Sequence, residues 1–352
     1  MRHLTIVVST SLAVLSGLVP AGAPARADTT SSSGRVATAA ATFHDRPISD
    51  PDTAQALAEA YWTPERMRAA RPVPLPEGAE ELAGEATDRP GRVGEPRNGA
   101  EPAGPLTDAP LAETSRADGR TGGAGTLAAG SGGAGVLAAT ASPGVGKVFF
   151  TDTAGEDWVC SGGTINNPTA NLVSTAGHCV HGGRRGTWHK NWVYVPYYDH
   201  GAAPYGVWAA KQFTSVAGWT DWSFLWWDFA FVNVWPRSGK KLVHTTGGHG
   251  ISFNQPKQMP ITLLGYPSAP PFDGQWQQYC QGTMKAGGAQ RVRLGCPMTQ
   301  GSSGGPFLQS YSNTIRFGFV NSVISHGFSG DLWGPYFEED VADVYDSAKN
   351  FS

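Results

Sequence analysis

The aromatic residues of this 352-residue chain are very unevenly distributed. The sequence holds 12 Trp, 10 Tyr and 15 Phe, yet only Phe43, Tyr61 and Trp62 precede residue 143. Aromatic side chains contribute much of the apolar area that a folded core buries. We therefore expect one globular domain over residues 143–352, a length that suits a single all-β domain with a sizeable core.

The N terminus has the pattern of an export signal. Arg2 and His3 precede an apolar run from Leu4 to about Val19, and the small residues of Ala-Arg-Ala follow at 25–27. This order of charged, apolar and small residues is typical of a cleaved signal peptide over residues 1–27. No other stretch reaches the roughly 20 apolar residues that a membrane helix needs. We expect a secreted, extracellular protein.

Residues 28–142 are rich in Ala, Gly, Pro, Glu and Arg and poor in large apolar side chains. Such a segment cannot bury enough surface to fold as a domain, so the composition predicts a largely disordered pro-segment of a zymogen, ending in a Gly/Ala-rich linker. Its exception is a short helix over Ala54 to Ala60, which the preceding Asp-Pro-Asp-Thr can cap and which runs into Tyr61 and Trp62. This helix is the part that we expect to dock on another surface.

The charge balance excludes two classes of partner. Residues 143–352 carry 13 acidic and 14 basic groups. A folded part with a net charge near zero lacks the basic face that nucleic acid or an anionic membrane requires. We expect a monomer that binds neither.

From residue 146 onward, short β-type runs alternate with turn residues. Many short strands without intervening helices are typical of a β-sandwich or a β-barrel. Near the C terminus, Phe337, Val341, Val344 and Tyr345 share one helical face, which predicts a single helix packed on the β body. The predicted strands are Lys147–Thr151, Trp158–Ile165, Leu172–Ser174, Trp192–Tyr197, Phe229–Val234, Ile261–Leu264, Arg291–Leu294 and Ile315–Val323.

All four cysteines follow residue 143. An even number in an exported chain indicates disulfides, and the sequence alone allows three pairings. The local pairing of Cys160 with Cys179 and of Cys280 with Cys296 is favoured, because each bond closes a short loop and stabilises the fold by roughly 3 kcal/mol in the chain-entropy model. A zinc site is the alternative, but no Cys-x-x-Cys spacing supports it. We expect no metal and no cofactor.

Three segments carry groups that can together activate a hydroxyl. Ser303 lies in Gly-Ser-Ser-Gly-Gly-Pro, where glycines permit a sharp bend and leave backbone N–H groups to face an oxyanion. His178 follows an apolar strand, and Asp228 opens the apolar run Asp-Phe-Ala-Phe-Val. A serine needs a base to take its proton, and the base needs a partner that fixes its tautomer. The three segments therefore indicate a hydrolase.

The motifs Thr-Ala-Gly-His-Cys, Asp-Phe-Ala-Phe and Gly-Ser-Ser-Gly-Gly-Pro, in that order, resemble those of the chymotrypsin-like (trypsin-like) serine peptidases. The resemblance covers residues from about 144 to 352 and is strongest to secreted bacterial enzymes of the glutamyl-endopeptidase-like branch. It implies two six-stranded antiparallel β-barrels with a C-terminal helix and a site in the crevice between the barrels. It also implies an endopeptidase that acts on proteins or peptides.

The resemblance assigns a role to each matching residue. Ser303 would be the nucleophile, His178 the general base and then acid, and Asp228 the group that orients and stabilises His178. The backbone N–H groups of Gly301 and Ser303 would form the oxyanion hole. A polar residue on a late strand supports the aspartate in such enzymes, and Asn321 or Ser322 occupies that region.

The chain also departs from the family pattern. Many animal members carry an aspartate just before the nucleophile, which pairs with the new N-terminal amine after activation, whereas Ser302 has no charge to offer. Glutamate-specific relatives place a histidine on the next strand, where this chain has Val320 or Asn321, so a glutamate preference is unsupported. No acidic residue near Pro297 supports a trypsin-type preference for Lys or Arg.

The sequence allows three alternative interpretations. Gly-x-Ser-x-Gly also fits the nucleophile elbow of α/β-hydrolases, but only 49 residues follow Ser303, and His326 precedes every later Asp and Glu, which is the wrong order. A catalytically silent peptidase fold that binds a protein or glycan would not need all three catalytic residue types. The tryptophan-dense stretch from Trp219 to Trp227 can line a substrate cleft or bind sugar, but core or loop anchors are the commoner role.

Overall fold

The computed structural model describes residues 34–74, 91–106 and 139–352. The signal-peptide prediction and most of the predicted linker lie outside these residues. The strands that precede the catalytic candidates are β1 Val36–Ala40, β2 Thr42–Phe43, β3 Arg46–Pro47, β4 Arg71–Pro72, β5 Arg97–Ala100, β6 Val145–Thr151, β7 Asp157–Ile165 and β8 Leu172–Thr175. The later strands are β9 Lys190–Pro196, β10 Trp208–Val216, β11 Ala230–Val234, β12 Gly250–Phe253, β13 Met259–Gly265, β14 Gln278–Ala286, β15 Arg291–Gly295, β16 Pro306–Ser312, β17 Phe317–Val323, β18 His326–Phe328 and β19 Asp331–Pro335. The helices are α1 Pro51–Tyr61, α2 Pro64–Ala69, α3 Ala217–Thr220, α4 Leu242–Thr246 and α5 Glu339–Ala348, with 3₁₀ turns at Gly177–Cys179 and Leu225–Trp227.

The first barrel is a closed antiparallel sheet of six strands in the order β6, β7, β8, β11, β10, β9. Closure comes from β9, which pairs with β6 on one side and with β10 on the other. Alternate residues of each strand point inward, so apolar side chains such as Val148, Trp192 and Phe213 fill the interior. His178 and Asp228 lie at the ends of two neighbouring strands of this barrel, β8 and β11.

The second barrel consists of β13, β14, β15, β19, β17 and β16, and Ser303 lies in the turn before β16. Two hydrogen bonds link the β17 side of this barrel to β19: the Ser325 N–H donates to the Trp333 carbonyl at 2.8 Å, and the Ser322 hydroxyl donates to the Pro335 carbonyl at 2.7 Å. The fold is therefore all-β with two six-stranded antiparallel barrels, as the resemblance implied.

The C-terminal helix α5 packs on the barrels as the sequence predicted. Its buried residues include Val341, Val344 and Tyr345, and the Tyr345 ring contacts Phe231 of the first barrel and Phe253 of β12. Phe337 is also buried but precedes the helix. One helix thus joins the first barrel to β12, which pairs with β17 of the second barrel.

Residues 34–74, which we call the first strap, pack on the first barrel. Strand β1 extends the sheet beside β10, and β4 pairs with β7. The predicted helix is present as α1, which begins at Pro51 because the Asp50 side chain accepts a hydrogen bond from the Thr53 amide. Trp62 is almost fully buried, and its indole N–H donates to the Asn191 carbonyl at 2.6 Å.

Residues 91–106, the second strap, pack near the second barrel. Strand β5 pairs with β12, and Arg92 and Arg97 form ion pairs with acidic residues of α5, among them Asp340 at 2.5 Å and Glu339 at 2.8 Å. The sequence predicted a largely disordered segment here, and the structure differs for both straps. Neither strap has enough apolar surface for a core of its own. The first strap buries Phe43, Trp62 and Met67 against the first barrel, whereas Val93 and Leu106 of the second strap stay exposed.

The predicted strands correspond to β6, β7, β8, β9, β11, β13, β15 and β17. Strand β14 was missed because most of its side chains are polar and exposed, so that it has no alternating apolar pattern. Within the described ranges, no helix is both long enough and apolar enough to cross a membrane.

Candidate active site

The site lies between the barrels because its three candidate residues come from the facing ends of both. The turn that holds Ser303 packs directly on the chain before His178. Gly304, at φ +82°, has no room for a side chain, since a Cβ there would lie 2.9 Å from the Ala176 nitrogen as well as against Thr175. In addition, the Ser161 N–H of the first barrel donates to the Ser303 carbonyl at 2.7 Å.

Asp228 binds His178 through both of its carboxylate oxygens. Oδ1 accepts from the His178 backbone N–H at 2.8 Å, and Oδ2 lies 2.8 Å from His178 Nδ1. Both side chains are buried, and a buried carboxylate is stable only when donors surround it. With Nδ1–H donated to Asp228, Nε2 is the ring nitrogen left for proton transfer, and it has no hydrogen-bond partner within the described part of the chain.

Ser325 supplies a third donor to Asp228, with its hydroxyl 2.6 Å from Oδ2. The sequence placed this support at Asn321 or Ser322, and that expectation was wrong. Asn321 Nδ2 instead faces Met259 and Gln309, and the Ser322 hydroxyl donates to Pro335. The register of β16 and β17 shifts twice, and strand periodicity cannot anticipate such bulges.

His326 continues the chain of hydrogen bonds behind Ser325. The single hydroxyl proton of Ser325 is donated to Asp228, so the contact of 3.0 Å between Ser325 Oγ and His326 Nδ1 requires the imidazole to donate. Burial lowers the pKa of His326 to about 4, with Arg291 and His178 contributing in the same direction and Asp228 opposing them. His326 is therefore neutral near pH 7, and its ring stacks on Trp333 with centroids 6.1 Å apart.

The loop over residues 299–305, which we call the oxyanion loop, leaves four of its amides without an acceptor among the described residues, and those of Gly301 and Ser303 are two of the four. The Ser302 N–H donates to the Thr299 carbonyl, the Gly304 N–H to Ile324 and the Gly305 N–H to Ser302. The amides of Gly301 and Ser303 have no acceptor among the residues that the structure describes. Gly301 adopts φ +96°, which only glycine tolerates readily.

The tryptophan-dense stretch has two different roles in the fold. Trp219 is fully buried beside the site, where its ring centroid lies 6.1 Å from that of His178 and its indole N–H donates to the His181 carbonyl. A Cβ on Gly177 would lie 2.7 Å from the Trp219 ring, which explains glycine at that position. Trp222 is partly exposed and stacks on Phe224.

The four cysteines form the two local pairs that the sequence favoured. Cys160 is bonded to Cys179, next to His178, and Cys280 is bonded to Cys296. The first disulfide and His178 bring three potential metal-ligand atoms within 4.8 Å of one another. Both sulfurs are already in a covalent bond, so this group is a disulfide beside a histidine and has no thiolates to offer a metal.

Comparisons with known proteins agree with this geometry. The thermostable serine protease AL20 from an extremophilic microorganism is 34% identical, with a TM-score of 0.56, and the match covers 60% of this chain and 99% of that structure. The protease Anisep from Arthrobacter nicotinovorans is also 34% identical, with a TM-score of 0.57 and coverage of 61% and 99%. A Glu endopeptidase structure shares the fold at 18% identity, with a TM-score of 0.50 and coverage of 60% and 93%.

Sequence searches find more distant similarity. No protein-family profile matches the chain. An extracellular metalloprotease of Bacillus subtilis (strain 168) is 27% identical over 165 residues, which are 44% of this chain and 47% of that protein, so the match spans about half of the relative's length.

The two-barrel fold and the structures that match it define a class, the serine peptidases. The chain belongs to the chymotrypsin-like serine peptidase family.

Proposed function

We propose that the protein is a secreted serine endopeptidase in which His178, Asp228 and Ser303 form the catalytic triad. The observation that carries the proposal is the double engagement of Asp228 with the His178 amide and Nδ1, each at 2.8 Å. This arrangement fixes the imidazole tautomer and leaves Nε2 as the nitrogen that can act as the base. A purely structural histidine would not need a carboxylate to fix its tautomer. It would also not need a serine in a glycine-rich turn in the same region of the fold.

The proposed reaction proceeds in two halves. The Ser303 oxygen attacks the carbonyl carbon of the scissile peptide bond while His178 Nε2 takes the hydroxyl proton, and Asp228 stabilises the imidazolium. The amides of Gly301 and Ser303 donate to the negatively charged oxygen of the tetrahedral intermediate. His178 then protonates the leaving amine, and the acyl group is released when His178 removes a proton from an attacking water.

Active-site titration tests this function. The protein should react stoichiometrically with a serine-directed fluorophosphonate at Ser303, and Ser303→Ala should abolish labelling and lower peptide turnover by several orders of magnitude, roughly a million-fold in a well-studied enzyme. The alternative, a silent fold that binds a protein or glycan, requires that the wild-type chain remain unlabelled. Retention of near-normal turnover by Ser303→Ala would refute the triad.

We also propose that residues 28–142 are a pro-segment that assists folding and is removed after export, once a signal peptide over residues 1–27 has been cleaved. Two features support this role. The first strap buries Trp62 and Phe43 against the first barrel, whereas the matched protease structures correspond to only 60% and 61% of this chain. The matched protease structures thus have no counterpart for a large part of this chain.

We propose that the cut itself falls slightly before the boundary at residue 142, ahead of Thr140, so that residues 140–142 stay with the peptidase. The Thr140 amide donates to Asn313 at 2.9 Å, and the Ser142 amide donates to Gln277 Oε1 at 3.0 Å, with Ser142 fully buried. A protease needs accessible, extended backbone, which these bonds deny it. Mass spectrometry of the secreted protein should give an N terminus close to Thr140 and not after it. Active protein that still begins at Asp28 would contradict removal.

A further inference from the structure

We propose that Ser161 is a positioning residue that holds the oxyanion loop in the conformation in which the Gly301 and Ser303 amides can bind an oxyanion. Neutral hydrogen bonds suffice for this role, and no charged pair is needed. The inference rests on the proposed peptidase function. Ser161 belongs to β7 of the first barrel and is fully buried, whereas the loop belongs to the second barrel. The residue therefore joins the two halves of the site.

Ser161 makes three hydrogen bonds at this junction. Its backbone N–H donates to the Ser303 carbonyl at 2.7 Å, and its hydroxyl donates to the Gly301 carbonyl at 2.9 Å. The hydroxyl also accepts the Tyr266 amide at 2.8 Å. Because a carbonyl can only accept and an amide can only donate, the direction of both hydroxyl bonds is determined, and the group cannot rotate without losing one of them.

These bonds matter because the orientation of a peptide's N–H follows from the orientation of its carbonyl. The Gly301 N–H belongs to the peptide whose carbonyl is on Gln300, and the Ser268 amide holds that carbonyl at 2.7 Å. The Ser303 N–H belongs to the peptide whose carbonyl is on Ser302, and the Gly305 amide holds it at 2.9 Å.

The Gly301 carbonyl lies between these two donor peptides, and the Ser303 carbonyl follows the second of them. Ser161 donates a hydrogen bond to each of these carbonyls. Four successive carbonyls, from residue 300 to residue 303, are thereby held. Gly301 at φ +96° is the one residue in the run whose backbone can rotate at little steric cost. Without the Ser161 hydroxyl, the Gly301 carbonyl loses its partner, and only the bond from the Ser302 N–H to the Thr299 carbonyl still holds that peptide. The peptide can then turn more easily, which moves both neighbouring amides.

Every hydrogen bond that the described residues make to this loop is between uncharged groups. Ser302 stands where many animal relatives have the aspartate, and its hydroxyl donates to the Thr299 carbonyl at 2.7 Å. Thr299 in turn exchanges two bonds with the Ala269 backbone. Neutral bonds therefore hold the loop, and Ser161 is the partner that links it to the first barrel.

The test compares Ser161→Ala with Ser174→Ala. Ser174 is equally buried, lies on the adjacent strand β8, and its hydroxyl donates to the Gly163 carbonyl without touching the loop. Ser161→Ala should lower kcat roughly tenfold to a hundredfold with KM changed less than about twofold, since a damaged oxyanion site weakens transition-state binding alone. Affinity for a peptide aldehyde, which places an oxyanion in the same site, should fall by a similar factor. Ser174→Ala should remain within about twofold of wild type.

Hydrogen exchange of the peptide that spans residues 299–305 gives a readout independent of activity. Exchange should become faster in Ser161→Ala and stay at the wild-type rate in Ser174→Ala. Equal exchange in the two variants, or an equal loss of kcat, would overturn the proposal. The wild-type protein could fail to react with fluorophosphonate while Ser161→Ala still exchanges faster than wild type over residues 299–305. That result would refute the peptidase function but leave the role of Ser161 intact. Should Ser161→Ala not fold, Ser161→Cys is compared with Ser174→Cys.

Discussion

The bond from Ser325 to Asp228 yields a measurable prediction, because it joins a hydroxyl to a fully buried carboxylate at 2.6 Å. A hydrogen bond to a charged group contributes about 1.5–3 kcal/mol. Ser325→Ala removes this donor and leaves Asp228 with its two bonds to His178. If most of the loss is expressed when the imidazolium forms, kcat/KM falls roughly tenfold to a hundredfold, since about 1.4 kcal/mol corresponds to tenfold.

Ser322→Ala is the matched control for this prediction. The Ser322 hydroxyl is equally buried and makes a bond of 2.7 Å, but to the neutral Pro335 carbonyl. Steady-state hydrolysis of a peptide substrate should show Ser322→Ala within about threefold of wild type, because a neutral bond away from the charge contributes about 1 kcal/mol to folding and nothing specific to the transition state. If Ser322→Ala loses as much activity as Ser325→Ala, or if Ser325→Ala keeps more than half of the wild-type kcat/KM, the assignment of Ser325 as the support of Asp228 is wrong.

Two further predictions concern stability. Trp62→Ala should lower the unfolding free energy of the full-length chain in urea by about 3–5 kcal/mol, as expected for a buried tryptophan, and the partly exposed Trp222→Ala should cost less than about 1 kcal/mol; equal costs would show that the first strap adds no core. Stability should also fall as the pH drops from about 7 towards 5. Burial lowers the pKa of four histidines below the value of about 6.5 that they have when unfolded, so the unfolded chain binds more protons in this range, and each histidine can contribute a slope of up to about 1.4 kcal/mol per pH unit. Urea titrations at pH 7.5, 6 and 5 measure this slope, and an unfolding free energy that is unchanged or higher at pH 5 would contradict it. The four residues are His181, His189 and His326, each with a pKa lowered to about 4, and His249, with a pKa lowered to about 3.

The first strap illustrates a limit of sequence reasoning. Composition predicts that residues 28–142 lack the apolar content for a domain. The start of α1 could be read from the sequence because Asp50 caps the amide of Thr53, only three residues later. Order in the strap nevertheless depends on the barrel. The Trp62 indole donates to the carbonyl of Asn191, 129 positions later in the chain. No local pattern encodes such a contact.

The candidate site divides in the same way. The sequence made His178, Asp228 and Ser303 the catalytic candidates because each lies in a short motif of neighbouring residues: a glycine-rich turn, the start of an apolar strand or a flanking cysteine. The disulfide pairs could be predicted for a similar reason, since both close short loops. Cys160 and Cys179 are 19 positions apart, and Cys280 and Cys296 are 16 positions apart. These features depend on residues that are close together in the chain, and the sequence shows such residues directly.

Tertiary structure alone decided how these residues are held. The third donor to Asp228 is Ser325, 97 positions away, and the bond to the Gly301 carbonyl comes from Ser161, 140 positions away. Strand register, two bulges between β16 and β17 and the contact between the barrels determine which hydroxyl meets which oxygen. A shift of one residue in a strand turns a side chain to the opposite face, so these partners exist only once the barrels have closed.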